Sequence, residues 1–303
     1  MKFEHSVYTN DEIGFKQFSL DLLNKSYLTY QKRLRELQEQ YSEESVHYFR
    51  VSSRRFLESL KLLNRFFSSL YLTTIIKDIK KQLNSLSRLR DLQVMSLASV
   101  KMKIKYPIIF EFINHLNQLE FEEVNYLREY FIKIEPDYYD DFIYFIGLNI
   151  RINKLNESQS FNSFKKIILN DYHQLLEQKD KVDISNPHTI HKLRIKNKKF
   201  RYLIELSQPV FKNAKKIAKV LSTQQNKMGA IQDNIVFINE FAKFISENRN
   251  IEPLLKPILE DLYELNIQLI SNFAKSSVIL NNLIYFNLEN GKKSDLSEDK
   301  ILF

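Results

Sequence analysis

Only four of the 303 residues are glycine, and six are proline. Hairpin turns, dinucleotide loops and phosphate loops all depend on glycine, because each needs a positive φ or a close approach of backbone to ligand. A β-rich fold, a Rossmann domain and a P-loop enzyme are therefore close to excluded. Apolar residues recur at helical spacing almost throughout. With 44% hydrophobic and 27% charged residues the chain has the composition of a packed soluble protein. The expected class is all-α, built from long helices.

The periodicity predicts helices over about Glu12–Gln40, Ser42–Leu70, Thr73–Met102, Pro107–Ile134 and Tyr138–Leu155. Ser42 offers a capping oxygen and Glu43 and Glu44 supply first-turn acids for the second of these. The stretch Asn156–Ser160 reads as a loop. Helices resume over about Phe161–Gln178, Pro187–Ser207, Phe211–Glu247 with a bend near Gly229, and Pro253–Asn290. Asn186-Pro187 is a strong start signal, a capping side chain followed by proline at the first helical position. Residues 291–303 form a polar tail. The start of the chain has no apolar leader, and no run of apolar residues is long enough to span a membrane.

Two segments match. His47-Tyr-Phe-Arg50-Val51-Ser-Ser-Arg54-Arg55-Phe56 pairs with His191-Lys-Leu-Arg194-Ile195-Lys-Asn-Lys198-Lys199-Phe200, giving H-x-x-R-[VI]-x-x-[RK]-[RK]-F twice. Downstream, Arg90-Asp91 lines up with Gln232-Asp233. The histidines are 144 residues apart and the aspartates 142. A duplicated four-helix unit explains these spacings. The expected division is a first half over 12–135, a connector over 136–158 and a second half over 159–290.

The charge follows the repeat. His47–Lys105 carries 13 Lys/Arg against three acids, and His188–Ala230 carries 11 against one, each a net +10. Since the whole chain is +8, the remainder carries −12. On a helix, His47, Arg50, Arg54, Lys61 and Arg65 share one stripe, and His191, Arg194 and Lys198 share another. Arg55 and Lys199 lie on the flank. Lys77, Lys81, Arg88 and Arg90 add to the first block, and Arg201, Lys212, Lys216, Lys219 and Lys227 to the second. Like charges at i, i+4 destabilise a helix by a few tenths of a kcal/mol. Their accumulation at equivalent positions points to an anionic partner. The bland alternative, a solvated cationic face, does not account for the duplication.

Other candidates are weaker. His188 and His191 have the i, i+3 spacing of a two-histidine metal site, but Glu44 stands at the first-half position of His188. No metal or other cofactor is therefore expected. His5, His115 and His173 have no repeat partner and read as structural. Asp91 and Asp233, acids inside cationic stretches, are expected to form structural ion pairs. Cysteine is absent, which removes disulfides and thiol chemistry and fits a reducing cytoplasm.

These motifs resemble the CHAD family, the conserved histidine α-helical domain, over about Glu12–Asn290. The resemblance implies two four-helix bundles related by a pseudo-twofold axis, joined by a connecting helix, with a basic surface across them. It also implies non-catalytic binding of inorganic polyphosphate, an association with polyphosphate granules and their other proteins, and a stand-alone member of a family often fused to a triphosphate-tunnel domain. Lys198 and Lys199 depart from the family's usual arginines, which weakens fork-like contacts there. A nucleic-acid-binding helical protein using the same cations is the first alternative, and a metal-dependent phosphohydrolase the second.

Overall fold

Capping side chains start the helices where the sequence places them. The computed structural model describes residues 14–211 and 213–285. Helix α1 (Phe15–Glu39) leads into α2 (Glu43–Asn64), whose cap Ser42 accepts a hydrogen bond from the Ser45 amide at 3.1 Å. Ser69 caps α3 (Leu70–Ser85) in the same way. Helices α4 (Ser87–Met102), α5 (Ile109–Phe131) and α6 (Asp140–Ile152) complete the first half and the connector. Asn156 caps α7 (Glu157–Asp180), and Asn186 with Pro187 starts α8 (Pro187–Leu206). Helix α9 (Ala214–Glu247) and α10 (Glu252–Ser276) follow, and a 3-10 segment (Ser277–Tyr285) closes the described chain. The described residues contain no strand, so the all-α expectation holds.

Two local expectations differ from the structure. The helix expected over Thr73–Met102 is two helices, α3 and α4, that meet at Leu86. The Leu83 carbonyl at this break accepts from the Arg50 guanidinium at 2.9 Å and from the Ser87 hydroxyl at 3.3 Å. Side chains thus occupy the acceptor that a continuous helix would give to the backbone, and Leu86 is fully buried at the corner. Second, only Asn156 of the expected loop is non-helical, because its side chain caps α7 through the Gln159 amide at 3.0 Å. Helix α9 continues through Gly229, as the expected span over Phe211–Glu247 requires. The tail at 291–303 lies outside the described residues.

The hydrophobic interior forms two clusters. The larger draws on α1, α2, α3, α6, α7, α8 and the first part of α9, with single turns of α4, α5 and α10 (Leu89, Leu127, Phe131 and Phe273), and Phe18, Phe67, Phe161 and Phe164 each contact the ring of Phe15. The smaller joins α4 and α5 to the second part of α9 and α10, around Phe112, Phe237, Phe241 and Phe244. Each cluster contains residues from both halves of the chain, so the boundary between halves is not a boundary in the core. Helix α9 passes through both. Its Met228 and Ile231 belong to the larger cluster and its Phe237, Phe241 and Ile245 to the smaller.

Candidate functional site

With Phe49, Phe56 and Leu60 buried, α2 turns its other side, with Arg50 and Arg54, toward α8. Helix α8 buries Leu193, Phe200 and Ile204 and holds Arg194, Lys198 and Arg201 against the same space. Arg90 and Asp91 from α4 and Asp233 from α9 line it as well. The two matched motifs therefore meet in space. Arg54 feels the charges of Arg194 and Arg201, and Lys198 those of Arg54, Arg194, Arg50 and Arg201. Equivalent positions also meet in the same way in each half. Arg50 is the strongest cation at Asp91 and Arg194 the strongest at Asp233.

Arg50, Arg54, Arg194 and Lys198 have no carboxylate within 4 Å among the described residues, whereas most of the other cations expected at the site do. Arg55 and Arg201 share Glu205, at 3.5 and 3.3 Å. Arg65 and Lys199 share the buried Asp171 of α7, at 3.7 and 3.3 Å. Lys61 pairs with Glu58 at 2.6 Å, and Arg90 with Glu43. Arg88 grips Glu240 with two hydrogen bonds, at 2.9 and 3.1 Å, and so ties α4 to α9. Buried Nε–H groups of Arg194 and Arg201 find no acceptor among the described residues.

The electrostatic consequences are visible in the ionisable groups. Burial first, then the neighbouring guanidinium groups, lowers Lys198 to about 7. Arg50 falls to about 10, again mainly through burial and then Arg54. Burial raises the Asp91 and Asp233 carboxyls against the pull of the cations around them. For His47, desolvation and the charge of Arg90 lower the pKa against the opposing pull of Glu43, so the ring is neutral at pH 7. His191 Nδ1 lies 2.7 Å from Gln232 Oε1, an acceptor, so Nδ1 carries a proton and donates to it.

The expected ion pairs of Asp91 and Asp233 are not formed. Neither carboxylate lies within 4 Å of a cation among the described residues, and Arg88 and Arg90, the nearest in sequence to Asp91, pair instead with Glu240 and Glu43. Several cations also lie away from the cluster. Lys81, on α3, sits 5.7 Å over the ring of Tyr130 on α5. The side chains of Lys77, Lys216, Lys219 and Lys227 make no hydrogen bond or ion pair among the described residues, and Lys77, Lys216 and Lys219 are exposed. Lys212 lies outside the described residues. Glu43, Asp171, Glu205 and Glu240 were missed in the sequence. The one available signal was Glu205, the single acid of the second basic block, four residues after Arg201. No group of three or more metal-ligating residues is clustered among the described residues. None of the described helices is long and apolar enough to cross a membrane.

The CHAD domain family model matches residues 151–242, a span that holds α7, α8 and most of α9. The crystal structure of the CHAD domain from the plant Ricinus communis is similar over 95% of this chain and 98% of that one, with a TM-score of 0.65 at 15% identity. PptA from Streptomyces chartreusis is similar over 89% of this chain and 100% of that one, with a TM-score of 0.57 at 11% identity. At these identities the likeness is one of fold. No curated protein matches the sequence.

Proposed function

The chain belongs to the CHAD family, and on that premise we propose that it binds inorganic polyphosphate, without catalysis, through the cluster between α2 and α8. One observation carries this reading. Arg50, Arg54, Arg194 and Lys198, drawn from both matched motifs, face one another with no carboxylate within 4 Å, while surrounding acids neutralise most of their neighbours. Unneutralised like charges held together cost free energy, and a polyanion offsets that cost by supplying charge-assisted hydrogen bonds. Polyphosphate has one charge per phosphate and no bases to read, so it calls for cations and not for a specificity pocket. The functional setting we propose is the cytoplasm, at polyphosphate granules and among their other proteins.

The test is binding of long-chain polyphosphate to wild type and to Arg54→Ala/Arg194→Ala/Lys198→Ala at moderate salt. Arg50 is left intact because it also braces the α3–α4 break. Three lost charge-assisted contacts weaken binding on the order of 100-fold, and equal affinity overturns the reading. Competition separates the nucleic-acid alternative, since RNA that displaces polyphosphate at equal phosphate concentration favours it. By analogy with counterion release from nucleic acids, affinity falls steeply as salt rises.

A further inference from the structure

Lys198 occupies the most crowded position of the cluster. Arg194 and Arg201 flank it on α8, and Arg50 and Arg54 face it from α2. Arg90 and Asp91 of α4 and Asp233 of α9 complete the surround. Tyr202 lies among the same arginines, and Glu58 of α2 is engaged by Lys61. On α7, the other helix packed against α8, Asp171 is engaged by Lys199 and Arg65, and Gln174 accepts from Lys196 at 3.1 Å. Four guanidinium groups thus surround one ammonium group, the residue type whose proton a crowded cationic site releases most readily.

We propose that the site binds its polyanion together with a proton, and that Lys198 is where that proton is held. This rests on the polyphosphate reading and adds its regulation. Without ligand, burial and the four arginines bring the Lys198 ammonium to about 7. A bound polyanion reverses the local potential and restores the charged form. The free site therefore loses the Lys198 proton above neutrality and the occupied site keeps it, so affinity falls as pH rises above 7 and levels off below it. Burial and Arg90 lower the His47 ring, away from that range, and burial raises the Asp91 and Asp233 carboxyls against the pull of the arginines around them.

The experiment is calorimetric titration of full-length protein with polyphosphate of fixed length at pH 6.5, 7.5 and 8.5. Salt is held constant, and two buffers of different protonation heat are used. Wild type is expected to bind roughly tenfold more weakly at pH 8.5 than at 6.5 and to take up protons at the higher pH. Lys198→Arg, charged throughout, holds the low-pH affinity at every pH and takes up no proton at 8.5. Lys198→Met, neutral throughout, binds at the wild type's pH 8.5 level at all three values, and decides the matter if the arginine variant fails to fold. A flat wild-type profile, or a wild-type pH dependence in either variant, overturns the proposal while leaving polyphosphate binding intact. Absence of binding by wild type at every pH overturns the polyphosphate reading itself.

Discussion

Arg50 carries two duties. Its guanidinium belongs to the cation cluster, and its Nη1 donates to the Leu83 carbonyl at the corner between α3 and α4. Arg50→Lys keeps the charge but loses the fork. It should lower stability by about 1 kcal/mol in urea denaturation, with the salt dependence of polyphosphate binding unchanged. Lys198 has the opposite balance. Its pKa is lowered in the folded protein and ordinary in the unfolded chain, so the unfolded state holds more protons above neutrality. Stability without ligand therefore rises with pH from about 7 toward the ordinary lysine range. Lys198→Met should raise the Tm at pH 6.5 by about 2 °C while weakening polyphosphate binding there. The cluster's members could be read from the sequence because i, i+3 and i+7 spacing places Arg50 and Arg54 on one face of a helix whatever it packs against. Their neutralising acids could not. Glu240 lies 152 residues from Arg88 and Asp171 lies 28 from Lys199, and only tertiary packing brings such pairs together.

Helix starts were readable for a related reason. Ser42, Asn156 and Asn186 cap through bonds within their own first turn, so the signal is local. The α3–α4 break was hidden because an arginine on another helix makes it. Helix α8 is fixed from behind by Asn197, which is fully buried and whose amide donates to the Leu221 carbonyl and to Gln225 Oε1, both at 3.0 Å. It stands on the α9 side of α8, between Arg194 and Lys198 in sequence. Asn197→Ala removes the donor to Gln225 Oε1 and the second donor at the Leu221 carbonyl, and opens space between the helices. It should cost about 2 kcal/mol, read as a lower denaturation midpoint with the unfolding slope unchanged.

The helical class followed from glycine scarcity and the helical spacing of apolar residues, but the grouping of helices into cores did not. Amphipathic periodicity says that each helix has a buried face and is silent on which neighbour covers it. The halves of the sequence suggested two bundles, yet both cores mix the halves, and α9 is a 34-residue member of each. Unfolding should therefore be a single transition, with near-UV and far-UV circular dichroism melting together. Phe241→Ala, in the smaller core, should lower stability by about 3–5 kcal/mol and shift both signals equally. Separate transitions would show that the cores are not coupled through α9.

Arg194 rests on α9 beside Gly229, where an added Cβ would come within 3.9 Å of its Nε, and Arg88 fastens α4 to the same helix through Glu240. Both flanks of the cluster are thus anchored to one long rod, and the intervals between its cations are set before any ligand arrives. Accommodation must then come from the ligand. A single flexible chain of phosphates can turn at each linkage until its charges match those intervals. Duplex DNA is stiff over about 150 base pairs and presents its phosphates on a fixed spiral. On the polyphosphate reading proposed above, the rigidity of the scaffold would act as a filter for pliancy, favouring polyanions that bend easily over stiff ones.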